Sequence, residues 1–455
     1  MEKQAVTLKR SLSLWQIVLL GVGYMTPMVV FDTFGITSEM THGHVPAAYI
    51  LALAALLLTA ASYQKMIQVF PTAGSAYTYT QHAINRHLGF MVGWAALMDY
   101  LFLPMVNALI FKIYLSAFFP AVPSWIWVLE FVVLITVLNL RSVNFTANFN
   151  TFLVVFQIAI ISMFVFISAR ALLHGKGTGE LFSVHPFYSS GMDPSLLVAG
   201  SAVLCFSYLG FDAVAMLSEE TKNPKKTIPK AIFITALLGG VLFTAASYFA
   251  QSVFPTVANF KDPQASSPEI AMKIGGTAVQ MIFLSGGIAG VVASGVSSHA
   301  SVARLLYAMG RDNILPKKVF AYVHPKFRTP WFNILLVGFI SLSAMFFSLG
   351  TATSFINFGA LVAFTFVNLS VIAHYAFRKK RHRTAKGFFS YVIMPAIGAA
   401  FIGVLWLNLE RNSFLLGITW AVIGFVYLVF ITKGFKVSPA VIDFPAEDDV
   451  RTQTL

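Results

Sequence analysis

The feature that most constrains this chain is a succession of twelve apolar runs, each about as long as a bilayer is thick, separated by clusters of charge. About 20 apolar residues in helical geometry cross the hydrocarbon core, and in lipid only helices and closed barrels satisfy their own backbone groups. A barrel would show segments of about 10 residues with alternating polarity; these runs are longer and do not alternate. Composition agrees. Charged residues are 11% of the chain and hydrophobic ones 57%, whereas a soluble domain carries about 25% charge. A soluble surface built from this composition would be mostly apolar, so lipid forms part of the solvent. The expected fold is an all-α membrane protein.

Spans are expected near 14–37, 46–69, 88–118, 124–140, 148–170, 196–218, 229–254, 274–308, 331–349, 353–376, 389–409 and 413–433. An even count puts both termini on one side, and the positive-inside rule tests it. One side would carry 25 of the 31 Lys and Arg, from Lys3, Lys9 and Arg10 to Lys433, Lys436 and Arg451. The other holds Arg170, Lys176, Lys261, Lys273 and Arg411, with Lys112 inside span 3. This split implies a cytoplasmic (inner) membrane protein with both termini cytoplasmic. It also accounts for the formal charge of +13 with no nucleic-acid partner. The expected organisation is a cytoplasmic tail (1–13), a first five-span unit (14–170), an extracytoplasmic loop (171–195), a second five-span unit (196–376), a cytoplasmic loop with spans 11 and 12 (377–433), and a cytoplasmic tail (434–455). The acidic end of that tail, Glu447, Asp448 and Asp449, reads as disordered. The first apolar segment is long and lacks a close cleavage site, which makes it a span rather than a signal peptide. The lone Cys205 excludes an internal disulfide, and His42 and His44 are too little for a metal centre. No nucleophile motif or phosphate loop occurs, so neither an enzyme nor a cofactor is expected. The sequence carries no signal of oligomeric state.

Two spans read as broken. Span 1 contains Gly21, Gly23, Pro27 and Gly35, and proline within a helix removes a backbone donor and clashes with the preceding turn. Span 6 contains Gly200 and Gly210, with Asp212 at its middle. In a chain of two five-span repeats these spans hold corresponding positions, and paired interrupted helices are a sequence pointer to a transporter site. The stretch Gly21–Pro27 reads as unwound. Gly286, Gly287 and Gly290 of span 8 read as close-packing positions.

A carboxylate at the bilayer centre costs at least about 2.5 kcal/mol, so it usually faces a cavity. The candidates are Asp32, Asp99 and Asp212, beside His299, Lys112 and His374. Asp212 stands out. It follows Phe206-Ser207-Tyr208-Leu209-Gly210-Phe211, and a carboxylate among aromatic faces is what an ammonium group prefers in a dry pocket; a structural hydrogen bond is the competing reading. Tyr100 and Asn107 share a face of span 3 two turns apart, with Asp99 about 100° away from Tyr100. Asp32 is a gating or proton-coupling candidate, or a partner for Lys112, whose default is to snorkel to the interface. His299, with Ser297 and Ser298, either titrates or satisfies an interhelical contact. Glu219 and Glu220, ahead of Lys222, Lys225 and Lys226, read as inner-side ion pairs closing a gate, or as a solvated cluster.

Two motifs carry a resemblance. Asn223-Pro224-Lys225-Lys226-Thr227-Ile228-Pro229, after Gly210-Phe211-Asp212 and the Glu219-Glu220 pair, resembles the amino acid–polyamine–organocation permeases. So does the stretch from Leu306-Tyr307-Ala308-Met309-Gly310-Arg311-Asp312 to Asn313-Ile314-Leu315-Pro316-Lys317, with Thr329-Pro330 downstream. The resemblance runs from about residue 8 to residue 435. Three stretches are closest to bacterial putrescine importers of that family: Tyr24 to Gly35, Asp99 to Met105, and Ile356 to Ser370. It implies a five-plus-five inverted repeat with discontinuous helices 1 and 6 and two extra C-terminal helices. It also implies proton-coupled diamine import, with substrate between the broken parts of spans 1 and 6. The matching substrate positions are Thr26, Tyr100, Pro104, Asn107, Phe206, Leu209, Asp212 and Ser298; from its place in span 3, Asp99 joins them as a candidate.

Two departures bear on substrate and coupling. Amino-acid members are similar to one another in a Gly-Ser-Gly type break whose bare amides hold a carboxylate; here Met25-Thr26-Pro27 stands there, and proline donates no amide. That favours a substrate without a carboxylate. Some proton-coupled relatives carry a lysine in span 5, where this chain has Gln157, which leaves Asp212, Asp99, Asp32 and His299 as proton carriers. The expected function is secondary import of putrescine or a similar diamine by alternating access, with a proton rather than sodium as coupling ion. The alternatives are an amino acid or GABA permease or an amine exchanger and, more distantly, a channel.

Overall fold

In the computed structural model the described residues are 8–255, 266–347, 349–409 and 411–437. The positions of Lys3, Lys261 and Arg451 and the acidic end of the tail lie outside the described residues. The helices are α1 (Leu14–Met25), α2 (Val29–Met40), α3 (Val45–Val69), α4 (Ala76–Ala83), α5 (Arg86–Phe118), α6 (Ser124–Leu140), α7 (Val143–Leu173), α8 (Pro194–Cys205), α9 (Pro224–Val253), α10 (Ser266–Arg311), α11 (Lys317–Phe320), α12 (Trp331–Ser341), α13 (Leu349–Val371), α14 (Ala385–Phe388), α15 (Met394–Leu407) and α16 (Arg411–Ile431). Among the described residues no strand forms; Leu12 and Thr221 make one isolated parallel bridge. Among the described residues nine helices are long and apolar enough to cross a membrane, counting α8 with the turns that follow it. The pair α1 and α2 meets the same test together, bent by 46°, and two shorter apolar helices cover Ser124–Leu140 and Trp331–Met345.

Local chemistry sets where the long helices start. Asn85 caps α5 by accepting from the amides of His87 and Leu88, Ser142 caps α7 through Phe145, and Asp193 caps α8 through Ser195, followed by Pro194 at the first helical position. The outward faces stay apolar: Phe166, Phe339 and Phe430 are each more than two-thirds exposed, a surface that only lipid covers at low cost. Within the bundle, α1 packs against α7, α9 and α10, α3 against α8 and α9, and α5 against α10 and α13. The helices α15 and α16 lie against α3, α5 and α13.

Both expected breaks are present, and each is tighter than the sequence suggests. Gly21 and Gly23 remain helical inside α1. A Cβ at Gly21 would strike Val214 and Thr235, and one at Gly23 would strike Asn150, so these glycines serve close packing rather than unwinding. The unwound part is Thr26-Pro27-Met28, with Thr26 in the left-handed region at φ 54°. In the second break α8 gives way to a 3-10 turn, Phe206–Tyr208, then to Leu209-Gly210-Phe211-Asp212, and a 3-10 helix follows over Ala213–Glu220. Gly210 has φ 124°, and a Cβ there would lie 2.6 Å from the Tyr24 ring. No other residue type fits that conformation at that contact, so the two breaks are locked to each other through Gly210 and Tyr24.

The glycines of span 8 are close-packing positions, as expected: a Cβ at Gly286, Gly287 or Gly290 would meet Ile160, Tyr114 or Thr26. Other features departed from expectation. The short α4 lies between spans read as neighbours; its eight residues are too few and too polar to register as an apolar run. Gly275 and Gly276 interrupt α10 and separate a leading segment from the span proper. The backbone is π-helical over Ile372–Arg378 and Phe389–Ile393.

Gly359 of α13 marks the closest approach to α5: an added Cβ would sit 2.5 Å from the Ala95 carbonyl oxygen and 2.7 Å from the Asp99 amide. Gly359→Ala should cost about 1–3 kcal/mol through overpacking, lowering the melting temperature of the purified protein in detergent. Gly403→Ala, where nothing lies within 4 Å, should leave it unchanged or slightly raised.

Candidate functional site

Asp212 lies at the end of the second break, where an unwound backbone brings a short side chain into the bundle centre. Its Oδ2 accepts from the Tyr100 hydroxyl at 2.6 Å, and its Oδ1 from the Gly210 amide at 3.3 Å. Tyr100 comes from α5, which carries Pro104 in its interior; proline there leaves the Tyr100 carbonyl without its usual helical donor. The Tyr24 and Tyr100 rings meet edge to face at 6.4 Å. On the other side Tyr63 of α3 meets Phe211 at 5.9 Å, Tyr79 at 6.1 Å and Phe364 at 6.3 Å, each edge to face.

Asp99 precedes Tyr100 in α5 and is buried like Asp212. Both are buried, and among the described residues neither takes part in an ion pair. Among the described residues, Asp99 Oδ1 and the hydroxyls of Tyr24 and Tyr79 find no hydrogen-bond partner. A buried polar group left unpaired costs about 1–3 kcal/mol, and here several gather around two carboxylates. Such a cluster is suited to a cation that donates several hydrogen bonds.

The first break joins this cluster through α10. Asn107 of α5 donates to Ser294 Oγ at 3.1 Å, and Ser294 donates to the Tyr24 carbonyl at 3.0 Å. Ser298, the expected contact from span 8, spends its hydroxyl on the Ser294 carbonyl one turn back at 2.7 Å. The residue that reaches the break is therefore Ser294, on the same face four positions earlier. Tyr24, Tyr63 and Ser294 escaped sequence reasoning; the run of serines at Ser294, Ser297, Ser298 and Ser301 was the available signal. Thr26 sits in the first break, with its amide on the Gly23 carbonyl and its own carbonyl accepting from Val29. Since Pro27 has no N–H, this break offers no amide at either position. Leu209 is buried in the second break, and Phe206 is half-buried ahead of it.

Two expected residues lie elsewhere. His299 places Nε2 at 2.8 Å from the Ile334 carbonyl, at the contact of α10 with α12; it fills the interhelical role and is not brought to Asp212. Asp32 makes no ion pair with Lys112 among the described residues. Gln157, buried in α7, lies next to Gly290.

A second cluster closes one end of the bundle. Glu220 and Arg304 are both buried and joined through both carboxylate oxygens, with Nη2 to Oε1 at 2.9 Å. Arg311 pairs with Glu219 and, at 2.9 Å, with Asp312, which also accepts from the Tyr77 hydroxyl at 2.9 Å. The Glu220 carbonyl accepts from the amides of Ser11 and Leu12 at 2.8 and 2.9 Å, which lays the amino-terminal segment across this end. Glu219 and Glu220 thus form ion pairs rather than a solvated cluster. Arg304→Met should destabilise by about 3–5 kcal/mol, because it strands a buried carboxylate. Adding Glu220→Leu should recover much of that loss in the same melting assay.

The amino acid permease family model matches residues 16–437. The chain is 50% identical to the low-affinity putrescine importer PlaP of Escherichia coli (strain K12), over 95% of both chains. It is 30% identical to the methylthioribose transporter of Bacillus subtilis, also over 95% of each. It is 28% identical to the cationic amino acid transporter 4 of Mus musculus, over 80% of this chain and 60% of that one. The chain belongs to the amino acid permease family.

Proposed function

We propose that this protein is a secondary importer of putrescine or a similar small diamine, working by alternating access with proton symport across the cytoplasmic membrane. The observation that carries this reading is the pair Asp99 and Asp212, buried beside a broken helix and, among the described residues, in no ion pair. Two ammonium groups match two carboxylates. In this reading Asp212 holds one end of the substrate with Tyr100, and Asp99, Tyr24 and Tyr63 surround the other. In the first break the Thr26 amide is taken by the Gly23 carbonyl and Pro27 has none, which weakens a cradle for a substrate carboxylate and favours an amine over an amino acid. The likeness to PlaP over nearly the whole chain points to the same substrate.

The twelve-span reading takes α1 with α2, and α8 with its following turns, as single spans. Spans 2 and 7 (α3 and α9) pack together, as do spans 3 and 8 (α5 and α10), which is what two five-span repeats of opposite orientation would bring face to face. The skew of Lys and Arg supports cytoplasmic termini, and then the Glu219–Arg311 and Glu220–Arg304 pairs close the cytoplasmic side. Asp32, in α2 beyond the first break, serves in this reading as a gating or proton-carrying group on the opposite side.

Labelled putrescine uptake into proteoliposomes tests the substrate site. Asp212→Asn should lower the uptake rate by roughly 30-fold or more, from about 2 kcal/mol or more lost with one partner of a buried charge pair; unchanged uptake removes Asp212 as the ligand. A dication entering a negative interior gains about 4.6 kcal/mol per 100 mV, so accumulation alone is no sign of coupling. At zero membrane potential, an imposed inward proton gradient should still stimulate uptake. Absence of stimulation there rules out proton symport.

A further inference from the structure

The connection between α13 and α15 gathers cations with no acid among them in the sequence. Arg378, Lys379, Lys380, Arg381, Arg383 and Lys386 fall within nine residues, and no Asp or Glu occurs from Asn313 to Leu409. Arg304 and Arg311, by contrast, are paired with Glu220 and Glu219. The connection also exposes large apolar side chains: Phe377 is 74% exposed, Phe388 46% and Phe389 58%. These phenylalanines sit where the apolar helices end, directly beside the cations, which is the depth of lipid headgroups.

The fold holds this hairpin in one shape. Arg378 donates to the His82 and Ile84 carbonyls at the end of α4. Lys65 of α3 donates to the Ser390 carbonyl and lies 5.5 Å from the centre of the Tyr391 ring. Tyr391 stacks on Tyr375 at 4.4 Å, and Arg381 lies 5.7 Å from the Tyr375 ring centre. Both strands of the hairpin enter it through π-helical turns, Ile372–Arg378 and Phe389–Ile393, a geometry that is rare and concentrated at functional sites. Lys380, Arg381 and Arg383 are left exposed on its rim.

We infer that the 378–391 hairpin is a binding site for an anionic phospholipid, with the phosphate headgroup among Lys380, Arg381 and Arg383 and the acyl chains along Phe377, Phe388 and Phe389. The apolar rim selects a lipid over a free anion, since inorganic phosphate would use the cations alone. The site is placed to affect the bundle: Arg378 ties the hairpin to α4, and the chain runs on from α4 into α5, which carries Asp99 and Tyr100.

The test uses the purified full-length protein in neutral detergent, titrated with phosphatidylglycerol, phosphatidylcholine or inorganic phosphate, with melting temperature as readout. Phosphatidylglycerol should raise it saturably, and phosphatidylcholine and phosphate should not. The combined variant Lys380→Gln, Arg381→Gln and Arg383→Gln should need on the order of tenfold more phosphatidylglycerol for half the shift, and the shift should weaken with ionic strength. A control with equal charge loss, Lys222→Gln, Lys225→Gln and Lys226→Gln, should respond as the unaltered protein does. Native mass spectrometry should find phosphatidylglycerol retained by the control and lost from the hairpin variant. An equal shift with phosphatidylcholine, a shift with phosphate alone, or an undiminished response of the hairpin variant overturns the inference.

Discussion

The structure is organised around a carboxylate that is buried and, among the described residues, takes part in no ion pair. Asp212 receives a hydroxyl from Tyr100 and an amide from Gly210, enough to orient it but short of a countercharge. A charge in a low-dielectric interior is expensive unless paired, and the neighbouring Asp99 adds to the cost. Ion pairing is available to this chain, since the buried Glu220 has Arg304 against both its oxygens. The difference between the two sites is therefore one of placement: among the described residues, Arg304 and Arg311 pair with Glu220, Glu219 and Asp312, and no cation pairs with Asp99 or Asp212.

That placement depends on two helices failing at the same depth. Pro27 and the left-handed Thr26 end α1, and Gly210 ends the turn after α8. The failures need each other, because the Tyr24 ring occupies the volume that a side chain at position 210 would take. Tyr24 then links the parts: its ring touches Tyr100, which holds Asp212, and its carbonyl takes the hydrogen bond from Ser294. A change at the first break is felt at the carboxylate through one aromatic side chain.

The membrane class, the two interrupted spans and Asp212 were legible because each rests on a strong local signal: long apolar runs, proline and glycine within them, and a charge where charge is costly. Tyr100 followed from its place beside Asp99 and its helical spacing to Asn107. What stayed illegible was direction. Gly21 and Gly23 look like helix breakers in sequence, and only the side chains of Val214, Thr235 and Asn150 packed over them reveal them as contact points. Ser298 and Ser294 are equivalent in sequence, one turn apart on one face, and which of them meets the break depends on where α10 sits along α1. His299 looks functional because it is ionisable within a span, yet its Nε2 lies on the Ile334 carbonyl, a contact that only the packing of α10 on α12 reveals. Tyr63 lies in an unremarkable apolar helix; its role appears only when α3 is packed against Phe211.

The contrast between the bundle's centre and its closed end bears on how such a protein could cycle. The closed end is held by groups that already have partners: Glu220 with Arg304, Glu219 with Arg311, and the backbone of Ser11 and Leu12 on the Glu220 carbonyl. Separating them costs the ion pairs unless water replaces them. The centre has the opposite character, with hydroxyls and a carboxylate oxygen that gain when a donor arrives. The 3-10 helix Ala213–Glu220 connects the two, running from Asp212 to the ion-paired glutamates in a single short element. In the proposed cycle, a cation drawn to Asp212 acts directly on the segment whose far end holds the gate, so the favourable interaction at the centre can offset the cost of opening that end.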